Sequence, residues 1–311
     1  MNEKVKIGLM LGGGGAKGSY QLGVIKALEE AKLLKYVKSI SGTSIGAINT
    51  LLLMSKKNHD QLSIIWEMID KENIFGDNKT SLTKDKRLFS LEPLANRLIE
   101  QIDVKSIKKS KYNGYATAAL MYDKLSLIHQ IKTDTMEKKV FNLKEEKDPY
   151  KAVMASASIP VLFGPTKIDD KNYVDGGMLD NYPIGPLIDD GCNLIFAVAL
   201  DDRFSPYLYD HTNINIIDFT AQKAFEKNIL KDMADIVRFD HKFKSDLESI
   251  GYLVGKLMIK KMYDERYITK IFGFNTFYKR PEFKVLALSK SDEVYVRRTK
   301  LNIKKINKKQ K

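Results

Sequence analysis

Between Lys4 and Met54 the apolar positions switch twice between two rhythms. Lys4 to Leu11 reads as a short strand, and behind the glycine-rich turn Gly12–Gly18 the residues Tyr20, Val24, Ile25, Leu28 and Leu33 recur at helical spacing. Val37 to Ser41 is a second short apolar run, followed by Gly42-Thr43-Ser44-Ile45-Gly46 and a second helix through Ala47 to Met54. Strand, turn and helix in that repeated order predict an α/β fold: a central, mostly parallel sheet flanked by helices.

Further along, Asn73 to Ser90 is polar and irregular, compatible with a lid over a site or with a plain surface loop, and Leu91 to Ile102 reads as a helix. Tyr112 to Met121 and Leu125 to Ile131 read as two strands joined at Asp123-Lys124, an antiparallel hairpin near a sheet edge. Lys171 to Val174 is a short strand entering Asp175-Gly176-Gly177, Leu194 to Leu200 is a continuous apolar strand of the buried type, and Phe219 to Tyr263 is mainly helical. No internal repeat or low-complexity linker divides the chain, so residues 1–296 are expected to form one domain, with 297–311 a basic, flexible tail.

Charge sharpens that boundary. Of the net charge of +13, eight basic side chains unopposed by any acidic one lie in Arg297–Lys311, which leaves the body only mildly basic. Such a segment suits an anionic membrane surface or nucleic acid, or is simply a solvated terminus; nucleic acid is not the expected partner. The single cysteine, Cys192, rules out an intramolecular disulfide or a thiolate zinc cluster and fits a reducing, cytoplasmic setting; beside Asn193–Val198 it reads as a small buried hydrophobe. The apolar stretch Val5–Leu11 is too short for a signal-peptide core, and no run approaches the roughly 20 residues of a spanning helix, so the expectation is a protein at most peripheral to membranes.

Three short blocks carry candidate chemistry. Gly42-Thr43-Ser44-Ile45-Gly46 has the form of a nucleophile elbow, a cramped strand-to-helix turn that exposes the serine oxygen. The pattern recurs by chance in roughly one chain in ten, so its position between an apolar strand and a helix matters more than its letters. Gly12-Gly13-Gly14-Gly15-Ala16-Lys17-Gly18 occupies the equivalent place after the first strand, where exposed amides at a helix start suit either a phosphate or an oxyanion. A phosphate-binding loop would place lysine after the last glycine, whereas Lys17 precedes Gly18; a dinucleotide site would want an acidic residue where Ser41-Gly42-Thr43-Ser44 stands. Asp175-Gly176-Gly177 ends a strand, and alone it is an ordinary turn.

In that order the blocks resemble the patatin-like phospholipases, as do Ala155-Ser156-Ala157-Ser158-Ile159-Pro160 ahead of the aspartate and Asn181 and Pro183 behind it, over roughly Lys4 to Leu200. The resemblance implies a three-layer architecture and a Ser44–Asp175 dyad, with Ser44 the nucleophile and Asp175 the proton acceptor. It implies an oxyanion hole at Gly13, Gly14 and Gly15, with Lys17, Gly18, Gly42, Gly46, Gly176 and Gly177 in support. The expected reaction is hydrolysis of phospholipid or lysophospholipid esters through an acyl-enzyme, with no metal or cofactor. The chemistry agrees, because a hydroxyl becomes a useful nucleophile once a neighbouring base takes its proton. Two alternatives stay open: a Ser-Asp-His esterase drawing on His211 or His241, and an inactive membrane-surface binding protein. His59 and His129 precede the aspartate and read as ordinary surface or strand histidines. Head group, acyl length and oligomeric state leave no mark in the sequence.

Overall fold

The computed structural model describes residues 4–69, 87–122, 129–225 and 234–309. Among them a nine-stranded sheet runs in the order β11-β8-β7-β1-β2-β3-β6-β5, with β4 joined to β3 outside that path. β1 (Ile7–Leu11), β2 (Val37–Thr43), β3 (Asn113–Met121), β7 (Leu194–Val198), β8 (Asn215–Asp218) and β11 (Lys284–Leu286) are parallel. β4 (Met136–Asn142), β5 (Thr166–Ile168) and β6 (Lys171–Asp175) extend the sheet in antiparallel sense.

The central parallel strands β1, β7 and β8 are buried on both faces, as parallel strands under helices must be. Along β1 and β7, Leu9, Leu11, Phe196 and Val198 point into one apolar cluster, while Met10, Ile195 and Ala197 point into another. The larger cluster lies beneath α1 (Ser19–Glu30), α2 (Ile45–Met54), α3 (His59–Met68), α4 (Glu92–Gln101) and α6 (Pro149–Ser156), with α5 (Val104–Lys108) packed beside them through Ile107. α8 (His241–Asp264) closes that layer against α1. The smaller cluster is covered by α7 (Gly185–Asp189) and the chain around Phe204. Helices, sheet and helices form the three layers expected.

Several elements depart from expectation. In place of the expected hairpin partner Leu125–Ile131, β3 pairs antiparallel with Met136–Asn142, and His129–Ile131 forms a short 3-10 turn; residues 123–128 lie outside the described set. β4 escapes the apolar pattern because it is an edge strand, largely exposed and charged through Glu137, Lys138 and Lys139, as edges that must resist further pairing are. Of the segment Phe219–Tyr263, expected to be mainly helical, residues 226–233 lie outside the described set, Phe219–Phe225 runs as an extended and 3-10 segment, and the long helix starts at His241, where the Asp240 carboxylate accepts the Phe243 amide at 2.9 Å. β9 (Ile268–Ile271) and β10 (Phe274–Phe277) form a separate hairpin.

Residues 297–309, expected as a flexible tail, continue α9 (Lys290–Lys309). Ser289 and Asp292 cap that helix reciprocally, each amide donating to the other's side chain at 2.9 and 3.2 Å. Val296 and Ile303 then dock the helix on the core. Of the segment Asn73–Ser90, residues 73–86 lie outside the described set, while the amides of Leu88 and Phe89 donate to the carbonyl of Leu162 at 3.1 and 2.8 Å. Among the described residues no helix is long and apolar enough to cross a membrane.

Candidate active site

Ser44 stands between β2 and α2 at φ 56°, ψ −123°, a conformation that side chains avoid and that turns the hydroxyl out of the strand. Two glycines permit the turn. A Cβ on Gly42 would lie 2.2 Å from the carbonyl carbon of Gly46, and one on Gly46 would lie 2.0 Å from the carbonyl oxygen of Leu11. The elbow is clamped from outside: the Ser44 amide donates to the Ser156 hydroxyl at 2.9 Å, and the Thr43 hydroxyl donates to the Asp180 carbonyl at 2.8 Å.

The sheet register brings Asp175 to this turn. β2 pairs with β3 up to Thr43 opposite Thr117, and β6 takes over the same side of β3 at the next residue, Ala118 opposite Asp175. Because β2 runs parallel to β3 and β6 antiparallel, their carboxyl ends meet head-on. The Ser44 hydroxyl thereby faces the Asp175 carboxyl across the cleft that both line, close enough to act on its ionisation. Gly177 donates its amide to Asp175 Oδ1 at 2.7 Å, and the Asp175 amide donates to the Ser158 carbonyl at 2.9 Å. Gly176 is pressed against the Thr117 carbonyl, where a Cβ would come within 2.1 Å.

Both side chains are buried, each 6% exposed. Burial pushes the Asp175 carboxyl up to about 6, against the opposing pull of the Ser44 hydroxyl and the Gly177 amide. A carboxylate so placed is a better proton acceptor than an exposed one yet remains ionised near neutral pH.

The glycine-rich loop faces the same point. The Gly13 amide is taken by the Asn181 carbonyl at 3.2 Å, whereas among the described residues no protein acceptor meets the amides of Gly14 and Gly15. Gly18 ends the loop against Ile45 and Trp66. Lys17 is buried beneath the loop, its Nζ 5.7 Å from the centre of the Phe225 ring. A chain of buried polar groups missed in the sequence supports the loop from below. Trp66 donates to Asn49, Asn49 to Gln21 and Gln21 to the Gly12 carbonyl, each at 2.8 Å.

Ser44 lies where two hollows join. One is an open cleft of about 410 Å³ bounded by Gly13–Gly15, Pro160, Met178, Tyr182, Asp201 and Arg203. The other is a narrow apolar slot of about 30 Å³ between Ile45, Ile48, Leu91, Leu94, Phe163 and Phe239. At the cleft rim Arg203 pairs with Asp201 at 2.6 Å, and Tyr182 donates to the same carboxylate. Burial works to raise the Asp201 carboxyl, but these hydrogen bonds outweigh it and hold the group below its ordinary range.

His59, His211 and His241 stand apart from both hollows. His59 is paired with Glu248 on α8 at 2.7 Å, His211 lies in an exposed turn, and His241 is 78% exposed beside Glu67. Among the described residues no cluster of His, Cys, Asp and Glu is arranged to hold a metal. Cys192 is buried in the smaller apolar cluster.

A family profile described as Patatin-like phospholipase matches residues 9–188. Lysophospholipase NTE1 of Saccharomyces cerevisiae is 27% identical over 309 residues, a match that covers 93% of this chain but only 16% of the yeast protein. A protein named probable lipid hydrolase 463L, of Invertebrate iridescent virus 6, is 27% identical over 228 residues, covering 67% of this chain and 76% of the viral one. Among solved structures, the ExoU–SpcU complex from the type III secretion system of Pseudomonas aeruginosa aligns with 17% identity and a TM-score of 0.43, over 97% of this chain and 58% of that one. With more than half of its length matched by the family profile, the chain belongs to the patatin-like phospholipase family.

Proposed function

We propose that the protein is a serine acyl-hydrolase that cleaves carboxylic esters of phospholipids or lysophospholipids through a Ser44–Asp175 dyad. The juxtaposition of these two side chains, at the junction of a polar cleft and an apolar slot, carries the reading. The Ser44 oxygen attacks the ester carbonyl while Asp175 takes its proton. The amides of Gly14 and Gly15, which have no protein acceptor among the described residues, donate to the oxyanion that forms, with Gly13 shaping the loop and Lys17 supporting it from beneath. Collapse of the tetrahedral intermediate expels the alcohol, which leaves with the proton held by Asp175. Water then gives a proton to Asp175, attacks the acyl-enzyme and frees the fatty acid, and the proton returns to Ser44.

The walls of the two hollows support this substrate class. The slot's aliphatic and aromatic lining suits apolar carbon next to the ester, and the larger open cleft, with Arg203 at its rim, suits the rest of the substrate and its polar head group. A hydrolysis screen across phospholipid and lysophospholipid classes tests the reading on wild type, Ser44→Ala, Asp175→Ala, His211→Ala and His241→Ala. Loss of hydrolysis in the first two variants with retention in the histidine variants is expected. Loss in either histidine variant favours a triad instead, and wild-type protein that neither hydrolyses lipid nor takes a fluorophosphonate on Ser44 is a binding protein rather than an enzyme.

A further inference from the structure

A second cavity, of about 590 Å³, opens at the end of the sheet opposite Ser44. Its walls come from the segment entering β2, the carboxyl ends of α1 and α2, and the segment entering β3. β2, with seven residues, puts roughly 20 Å between it and the elbow. Lys32, Lys35, Lys56, Lys57, Lys109 and Lys111 line it, opposed by one acidic side chain, Glu29, which already accepts the His59 amide at 2.8 Å.

We propose that this cleft binds a compact, multiply phosphorylated anion. Among the described residues none of the six ammonium groups has an ion-pair or hydrogen-bond partner; Lys35 and Lys111 only overlie the rings of Tyr36 and Tyr112. Surface lysines at random seldom converge on one concavity with so little opposing charge, and a single phosphate is too small a charge to balance them. Burial draws the Lys111 ammonium below its ordinary range, the charge of Lys38 outside the cleft adding to this and Glu29 opposing it.

The backbone gives a second, independent sign. Lys32 and Lys56 each follow a helix end at φ 57° and 63°, in the left-handed region that glycine or asparagine fills with less strain. A lysine at both positions puts strain into the backbone and charge into the cleft. The floor is apolar, formed by Leu34, Leu53 and Tyr112, so the carbon part of a phosphorylated ligand has a surface to rest on. Two sources share this chemistry: a soluble polyphosphorylated metabolite and the phosphorylated head group of a lipid.

Calorimetric titration with sodium tripolyphosphate near physiological salt tests the site. Wild type is expected to bind one equivalent saturably. The Lys32→Gly/Lys56→Gly variant keeps the left-handed turns, should melt no lower than wild type, and should bind about tenfold more weakly or worse. Adding Lys35→Gln and Lys111→Gln should abolish binding, whereas Lys151→Gln, on α6, should leave it unchanged. Cosedimentation with phosphatidylcholine vesicles carrying a bisphosphorylated phosphatidylinositol, against vesicles matched in charge with phosphatidylserine, identifies a lipid source if only the former retain the protein and a soluble source if neither does. No saturable binding by wild type, or undiminished binding by the four-lysine variant, overturns the proposal.

Discussion

The Ser44 amide and the Ser156 hydroxyl are 2.9 Å apart, and Ser156 passes the interaction on by donating to the Thr117 carbonyl at 2.5 Å. One buried hydroxyl thus holds the strained elbow against the central strand β3. Ser156→Ala leaves a buried amide without an acceptor, which costs about 1–3 kcal/mol. The expected outcome is a lower melting temperature together with slower fluorophosphonate labelling of Ser44. An unchanged labelling rate would show that the elbow keeps its shape without this contact.

Ser44→Gly should separate stability from activity. Glycine adopts φ 56°, ψ −123° without the penalty a side chain incurs, so the variant is expected to be more stable by about 1 kcal/mol while losing hydrolysis. Ser44→Ala keeps the Cβ and should show no such gain. Denaturant midpoints of the two variants decide the matter.

The Asp175 carboxyl, raised to about 6, sets an acid limb. Only the carboxylate accepts a proton, so kcat/KM should fall about tenfold per pH unit below that value. Stability moves the other way. The folded chain holds this proton to higher pH than the unfolded one, so the contribution of Asp175 is greatest below about 4 and is lost as pH rises through 6. Asp175→Asn is therefore expected to gain about 1–3 kcal/mol relative to wild type at pH 8 over its relative stability at pH 4. Equal differences at the two pH values would rule out a raised folded value.

His59 links α3 to α8 through Glu248 at 2.7 Å. Burial lowers its pKa, but hydrogen bonds to Glu248 and Asp60 outweigh that and the net shift is upward. A raised histidine stabilises the fold fully below the unfolded value of about 6.5 and ceases to do so as pH climbs through the folded value. The melting-temperature gap between wild type and His59→Gln should accordingly be widest in mildly acidic buffer and narrow in alkaline buffer.

The strand-turn-helix repeats were legible because β1, β2 and their helices alternate between apolar rhythms that no other fold class shares, and the three blocks carrying Ser44, Asp175 and the glycines lay at predictable strand ends. What escaped was set by partners distant in sequence. β4 has no apolar alternation because one of its edges meets solvent, and β8 and β11 are too short to show a period. Asn49 and Gln21 lie on helix faces where polar residues usually mean exposure, yet both are buried in mutual hydrogen bonds. Ser156 stood in a block recognised by likeness, but its contact with Ser44 depends on how α6 packs against β3, which spacing alone does not reveal.

Strand β3 bears two abutting neighbours that enter the chain more than a hundred residues apart, β2 and β6. A nascent polypeptide emerging as far as β3 holds Ser44, but it lacks Asp175 as well as Ser156 and Asp180, which clamp the elbow. In the proposed mechanism, hydrolytic competence therefore arrives with the closure of a long loop rather than with local structure. Fluorophosphonate reactivity at Ser44 is then expected to report completed folding and to be silent in any truncated product that stops short of β6.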